Sequence, residues 1–261
     1  MSSSLSQSHT LVIVPTYNES ESLPVLMGAV REQVPEVDLL VVDDASPDGT
    51  GDLAAGFARS DSAVHVLHRP GKEGIGRAYL AGFAWAVERG YRWIVEMDAD
   101  GSHRAEDLGA LLSRAQDSDA PDLVLGSRWI PGGAVQGWPR RRELLSRGGN
   151  LWVRGALGIS VHDATGGFRV YRAEALEQLD LSAVQSQGYC FQVDMAWRIE
   201  RAGGTVVEVP ITFVERREGQ SKMSRAIVAE ALWRTTAWGA RHRARQLAGL
   251  FRRRRDARTT G

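Results

Sequence analysis

The stretch VEMDADGSH, residues 95–103, decides how the fold of this chain is interpreted. It begins as an apolar strand and then places two carboxylates, Asp98 and Asp100, one residue apart. On a straight strand, alternate side chains point to the same side, so both carboxylates would face one ligand. Oxygen ligands of this kind suit Mg²⁺ or Mn²⁺, which often complete their coordination with substrate phosphates. The stretch therefore predicts a metal site at the end of a buried strand, and the alternative is an acidic surface turn.

Two earlier apolar runs also end in acids. TLVIVPTYNE (10–19) ends at Glu19, and VDLLVVDDAS (37–46) contains Asp43 and Asp44. Helical patterns alternate with these runs, which is typical of an α/β fold with a mostly parallel sheet. Ligands of such sheets bind beyond the carboxyl ends of the strands. The acids should therefore meet at one edge, where a divalent cation can offset their repulsion.

The charge of the chain is divided between its halves. Residues 1–127 carry 9 lysines and arginines against 20 acids, and residues 128–261 carry 23 against 12. Such asymmetry indicates anionic partners, and the tail FRRRRDAR could contact nucleic acid, anionic lipid or only solvent. The single cysteine, Cys190, excludes an internal disulfide and favours a reducing compartment. We find no signal peptide and no apolar run long enough to span a membrane, so we expect a cytoplasmic protein.

The basic half contains candidates for binding anions. Arg142 and Ser146 are four residues apart and share a face if their segment is helical, and Arg128 precedes them. Arginine can bind a phosphate through two nitrogens at once, although these arginines could also form a solvated basic surface. Arg216 and Lys222 are similar candidates for a pyrophosphate. By contrast, His103 and Cys190 have no neighbouring partner for a catalytic dyad, and we interpret both as structural.

Seven motifs occur in an order that is typical of one family. They are VPTYNE, VVDDASPDGT, MDADGSH, LGSRWIPGG, DATGGFRVY, GYCFQVDM and ERREGQSK. Together they resemble the polyprenol-phosphate (dolichol-phosphate) mannose synthases of glycosyltransferase family 2, from about residue 11 to 225. The resemblance implies a GT-A (Rossmann-like) α/β fold with a mostly parallel central sheet. It also suggests a catalytic domain over residues 1–225, followed by a basic amphipathic segment over 226–261.

The resemblance also assigns roles to individual residues. Residues expected to bind the nucleotide sugar are Pro15, Tyr17, Glu19, Val42, Asp44, Asp98, Ala99, Asp100, Arg216 and Lys222. Mg²⁺ or Mn²⁺ would bind Asp98 and Asp100, with Ser102 where relatives often have a glutamine. The acceptor phosphate would contact Arg128, Arg142 and Ser146. Catalysis would therefore depend on Asp98, Asp100, Arg128 and Arg142.

The implied reaction is an inverting, metal-dependent transfer of mannose from GDP-mannose to a polyprenyl monophosphate. A phosphate monoester has a second pKa of about 6, so it is already an anionic nucleophile at neutral pH. No general base is therefore required, and none is evident in the sequence. The alternatives are the same chemistry with UDP-glucose, or a nucleotide-sugar-binding protein without turnover. We expect no nucleic-acid partner, since nucleic-acid binding would leave the acidic strand ends unexplained.

A lipid acceptor gives the C-terminal segment a role. Residues 225–251 have the pattern of an amphipathic helix with Ile227, Ala231, Leu232, Thr235 and Trp238 on one stripe. We expect residues 225–255 to lie on the inner face of the membrane, which makes the protein peripheral. Its arginines would face headgroups, while Trp233, Trp238, Leu250 and Phe251 would lie at the interface. Because the sequence contains no membrane span, an integral membrane partner is a further expectation.

Overall fold

The computed structural model describes residues 9–186, 188–215, 233 and 235–240. The first part of the chain alternates strands with helices. Its elements are β1 (Thr10–Thr16), α1 (Ser22–Gln33), β2 (Asp38–Asp43), α2 (Thr50–Ser60), β3 (Val64–His68), α3 (Ile75–Glu88), β4 (Trp93–Glu96), α4 (Ala105–Ala115) and β5 (Leu123–Ser127). The second part is less regular. Its elements are β6 (Ala134–Gln136), α5 (Arg140–Leu157), β7 (Arg169–Arg172), α6 (Ala173–Glu177), α7 (Tyr189–Arg201), β8 (Val206–Pro210) and β9 (Thr212–Val214).

Seven strands form the central sheet in the order β3-β2-β1-β4-β7-β5-β8. Strand β7 is antiparallel to both of its neighbours, and the other pairs are parallel. The predicted α/β fold with a mostly parallel sheet is confirmed. The insertion of β7 between β4 and β5 was not predicted, because strand order depends on contacts between residues that are distant in sequence.

Both faces of the sheet are covered by helices. Along β1, Leu11 and Ile13 belong to one apolar cluster, and Val12 and Val14 belong to another on the opposite face. All four side chains are fully buried. A continuous run of aliphatic residues is therefore required here, since alternate side chains enter two different cores. The sheet is held rigidly on both sides, and its carboxyl edge is fixed in position.

A small second sheet lies beside this edge. Strands β6 and β9 pair in parallel, with Ala134 opposite Thr212 and Gln136 opposite Val214. A bridge between His103 and Phe213 connects this sheet to the loop after β4. The sheet therefore places the residues that follow β6 and β9 next to the acidic loop. Strand β6 was not predicted, because its three residues lie in a glycine-rich stretch without a clear period.

The C-terminal segment is described only at residues 233 and 235–240, which are helical. Trp238 stacks on Trp197 of α7, with ring centroids 6.0 Å apart and planes 7° apart. Thr235 is fully buried, whereas Trp233 is 73% exposed. The ring of Trp238 is partly buried against the protein, and its location at a lipid interface stays a prediction. Leu250 and Phe251 lie outside the described residues, and none of the described helices is both long and apolar enough to cross a bilayer.

Gly82 of α3 tests the packing of this helix on the sheet, and Gly28 of α1 serves as the comparison. A Cβ added to Gly82 would lie 2.7 Å from Ile13 Cγ2, whereas a Cβ on Gly28 of α1 would have no neighbour within 4 Å. We expect Gly82→Ala to destabilise the protein by roughly 1–3 kcal/mol through overpacking. Gly28→Ala should instead stabilise it by about 0.5–1 kcal/mol, because alanine favours the helix. Urea denaturation of both variants measures the difference, and equal effects would contradict this packing.

Candidate active site

A cavity of about 640 Å³ opens at the carboxyl edge of the sheet. Ten of the predicted site residues line it: Pro15, Tyr17, Glu19, Asp44, Asp98, Ala99, Asp100, Ser102, Arg128 and Arg142. The structure thus brings together acids from three strand ends and arginines from the basic half. Val42 is fully buried in the core beside β1, so its side chain does not reach the cavity. Arg216 and Lys222 lie outside the described residues.

Two hydrogen bonds, one from α3 and one within the loop after β4, hold Asp98 in place. The Tyr79 hydroxyl donates to Asp98 Oδ1 at 3.0 Å, and the Asp98 backbone N–H donates to His103 Nδ1 at 3.0 Å. Burial raises the pKa of Tyr79 and lowers the pKa of His103, so both side chains remain neutral. His103 lines the cavity and also orients the loop.

The geometry of the two aspartates differs from the prediction. Strand β4 ends at Glu96, so Asp98 and Asp100 lie on a turn rather than on a straight strand. Asp100 Oδ1 accepts the Ser102 backbone N–H at 3.0 Å, and Gly101 at the turn has φ of +75°. The carboxylates reach the same cavity because the chain turns there.

Asp98 and Asp100 suit a cation whose remaining coordination positions are filled by a substrate. No group of three or more His, Cys, Asp or Glu side chains that could hold a metal occurs in the described part of the chain. Asp98 and Asp100 supply two carboxylates, which suits Mg²⁺ when phosphate and water fill the other positions. The buried Ser102 hydroxyl adds an oxygen without a hydrogen-bond partner among the described residues.

The part of the cavity wall near the ends of β1 and β2 contains polar and aromatic groups. Lys72 Nζ lies 3.8 Å from the centroid of the Tyr17 ring and forms no ion pair within the described residues. Asp44 pairs with Arg69, with Nη1 and Oδ1 2.5 Å apart, and burial raises the pKa of this carboxyl. Asp43 instead accepts the hydroxyls of Thr16 and Ser46, so it shapes the turn.

Arg128 forms a buried ion pair that was not predicted. Its Nε and Nη2 each lie 2.6 Å from an oxygen of Asp163, and its backbone N–H donates to the same carboxylate. Asp163 is fully buried and Arg128 is 5% exposed. Although burial acts in the opposite direction, the Arg128 charge and its hydrogen bonds hold the pKa of Asp163 below its ordinary value. Nη1 is left without a hydrogen bond to any described residue.

Arg142 is paired in a different way. Its Nη1 donates to both oxygens of Glu215 at 2.5 and 2.6 Å, and its guanidinium lies 4.0 Å from the centroid of the Trp138 ring. Ser146 lies on the same helix, as predicted, but does not line the cavity. Four residues of helix rise by about 6 Å, which carries Ser146 away from the cavity.

Comparison with known proteins identifies the family. Residues 11–180 match the family model described as glycosyl transferase family 2. The chain belongs to glycosyltransferase family 2. It is 54% identical over 244 residues to a polyprenol monophosphomannose synthase of Mycolicibacterium smegmatis, covering 93% of this chain and 91% of that protein. It is 56% identical over 229 residues to an undecaprenyl-phosphate mannosyltransferase of Micrococcus luteus, covering 88% of this chain and 93% of that protein.

Solved glycosyltransferase structures share the GT-A fold with this chain. One is a glucosyl-3-phosphoglycerate synthase from Mycobacterium tuberculosis in complex with Mn²⁺, UDP-glucose and phosphoglyceric acid, at a TM-score of 0.65 and 21% identity, covering 87% of this chain and 79% of that one. Another is the mannosyltransferase PcManGT from Pyrobaculum calidifontis in complex with GDP-Man and Mn²⁺, at a TM-score of 0.60 and 20% identity, covering 89% and 64%.

The floor of the glycosyltransferase cavity depends on one buried arginine. Arg169 is fully buried and donates to the carbonyl oxygens of Ala164, Gly166 and Gln192, at 2.8, 2.8 and 2.7 Å. The first two carbonyls belong to the DATGG loop (163–167). These bonds therefore tie that loop to helix α7, and Thr165 and Gly167 of the loop line the cavity.

A buried carboxyl lies opposite Arg169. Glu96 pairs with Arg169 in the register of β4 and β7 and is fully buried. Neither carboxyl oxygen of Glu96 has a hydrogen-bond partner among the described residues. Burial raises the pKa of Glu96 to about 8, and the Arg169 charge opposes this shift. Sequence reasoning missed this pair, although Glu96 lies in VEMDADGSH and Arg169 in DATGGFRVY, because a strand pattern does not show which side chains meet across a sheet.

The Arg128–Asp163 pair can be tested by removing one charge. We expect Asp163→Asn to destabilise the glycosyltransferase by roughly 3–5 kcal/mol, because it leaves a buried guanidinium without its counter-charge. Asp119→Asn is the control, since Asp119 pairs with Arg114 at the exposed surface and should have little effect. Thermal and urea unfolding of both variants measures the loss of stability. Similar free energies of unfolding for the two variants would show that the buried Arg128 does not depend on the charge of Asp163.

Proposed function

We propose that the enzyme transfers mannose from GDP-mannose to a polyprenyl monophosphate with inversion, giving polyprenyl-phosphate mannose and GDP. The observation that carries this proposal is that one cavity is lined both by two aspartates, Asp98 and Asp100, and by two arginines, Arg128 and Arg142. A donor with a metal-bound pyrophosphate and an acceptor with its own phosphate together require such a division of charge. The names of both relatives above 50% identity support mannose and a polyprenol phosphate.

On the donor side, Asp98, Asp100 and Ser102 would hold Mg²⁺ or Mn²⁺. When bound, the cation supplies electrostatic stabilisation of the departing diphosphate. Tyr79 and His103 keep Asp98 in one orientation, so the site is preorganised. The nucleotide would contact Pro15, Tyr17, Glu19, Val42 through its backbone, Asp44 and Ala99. Lys72, Arg216 and Lys222 are the cations proposed for the donor phosphates.

On the acceptor side, the lipid phosphate is both nucleophile and ligand. At neutral pH it is largely a dianion, so the enzyme needs no general base to activate it. Arg128 has Nη1 available toward this anion, and Arg142 lies at the same cavity. Both would hold the phosphate in line with the anomeric carbon, on the side opposite the leaving diphosphate. A single displacement of this kind inverts the configuration.

The transfer can be measured directly. The purified chain is incubated with Mn²⁺ or Mg²⁺, a polyprenyl phosphate in detergent and radiolabelled GDP-mannose or UDP-glucose, and label is counted in the organic phase. We expect metal-dependent label from GDP-mannose, and a loss of at least about a hundredfold in Asp100→Ala, because electrostatic stabilisation of the leaving group disappears. Lipid label from UDP-glucose and none from GDP-mannose would show that the donor is UDP-glucose. No lipid label from either, with folded protein, would contradict the proposal.

We also propose that the protein binds the inner face of the cytoplasmic membrane, where its lipid acceptor is present. Residues 226–261 are proposed as the attachment segment, distinct from the catalytic domain of residues 1–225. The support is the sequence of this segment, which contains four consecutive arginines, Arg252 to Arg255. Each basic residue near an anionic surface contributes on the order of 1 kcal/mol.

Vesicle flotation tests this attachment. We expect the wild-type chain to float with vesicles that contain anionic lipid, and substitution of Arg252, Arg253, Arg254 and Arg255 by glutamine to weaken binding at least tenfold. Neutral vesicles and high salt serve as controls, because screening should abolish an electrostatic attachment. Undiminished flotation of the substituted chain would show that the arginines are not responsible.

A further inference from the structure

The two arginines of the cavity are neutralised in different ways. Arg128 uses two guanidinium nitrogens in a fork with Asp163, whose carboxylate is fully buried and also accepts a backbone N–H. Arg142 uses a single nitrogen, Nη1, for both oxygens of Glu215. The first pair has the parallel geometry that makes arginine–carboxylate contacts strong, and the second does not. Arg128 is therefore held permanently, while Arg142 is the arginine that can exchange its partner.

Arg142 also retains unused hydrogen-bonding capacity. Its Nε is buried without a partner among the described residues. The guanidinium is kept in place from one side by the Trp138 ring, which does not depend on Glu215. An anion with more oxygens than a carboxylate could reach a second guanidinium nitrogen while the stack with Trp138 persists. A phosphate monoester is such an anion.

Glu215 is anchored by its backbone rather than by its carboxylate. Its N–H donates to the Gln136 carbonyl at 2.9 Å, which continues the pairing of β6 with β9. Its side chain is 31% exposed, whereas that of Asp163 is fully buried. The Glu215 carboxylate can therefore turn toward solvent without movement of its backbone, which leaves the largely buried Arg142 guanidinium in need of another anion.

We propose that the Glu215 carboxylate occupies the position of the acceptor phosphate on Arg142, and that the acceptor displaces it on binding. This inference rests on the proposed function, since it requires a phosphate acceptor at Arg142. Glu215 is then a positioning residue that keeps Arg142 neutralised until a phosphate dianion arrives. Its negative charge opposes acceptor binding, and it favours acceptors that carry two charges over those that carry one.

The test is the KM for a short-chain isoprenyl monophosphate in the mannosyl transfer assay. We expect Glu215→Gln to lower this KM by about three- to tenfold, because the competing anion is removed. The KM for GDP-mannose should change much less, since Arg142 would bind the acceptor. Glu215→Asp, which retracts the carboxylate by one methylene, should give an intermediate KM.

Glu143→Gln is the matched control. Glu143 lies next to Arg142 on the first turn of α5, pairs with Arg147 and does not line the cavity, so this variant removes the same charge nearby. An equal fall in acceptor KM in both variants would show that the loss of any nearby negative charge lowers the KM, and it would overturn the inference. An unchanged or raised acceptor KM in Glu215→Gln, with active wild type, would overturn it while the proposed function stands. Absence of transfer by the wild type would overturn both.

Discussion

The structure of the active site depends on the burial of Arg169. Arg169 is the largest fully buried side chain in the described part of the chain. Its guanidinium donates hydrogen bonds to three backbone carbonyls of the DATGG loop and helix α7. A buried arginine is tolerated only when its donors are satisfied, so the loop must follow the guanidinium. That loop carries Asp163, which in turn fixes Arg128. One buried cation thus orders the part of the cavity that contains Arg128.

The cavity combines many charges, and three of the charged side chains that line it are held in ion pairs. Asp44 is paired with Arg69, Asp163 with Arg128 and Glu215 with Arg142. The carboxylates Asp98 and Asp100 line the same cavity, where a divalent cation would offset their mutual repulsion. The proposed reaction requires both kinds of charge in one cavity, because it brings two phosphates to one sugar carbon.

Much of the fold and of the site could be predicted from sequence, for physical reasons. Strands that are buried on both faces must be apolar, and their ligands collect at the carboxyl edge, so the acids at Glu19, Asp44, Asp98 and Asp100 were expected there. The partners of the arginines could not be predicted, since Arg128 and Asp163 are 35 residues apart and Arg142 and Glu215 are 73 apart. The turn at residues 98–102 was expected only as an alternative to a straight strand, because strand periodicity does not show where a strand ends.

In the proposed reaction, Asp98 and Asp100 hold a divalent cation against the diphosphate of the donor. Anomalous diffraction at the manganese absorption edge, from crystals grown with Mn²⁺ and GDP, would locate this cation. We expect one strong anomalous peak within about 2.0–2.5 Å of oxygens from Asp98 or Asp100 and from the GDP diphosphate. A crystal that contains bound GDP but has no manganese peak at these aspartates would show that they do not hold the cation.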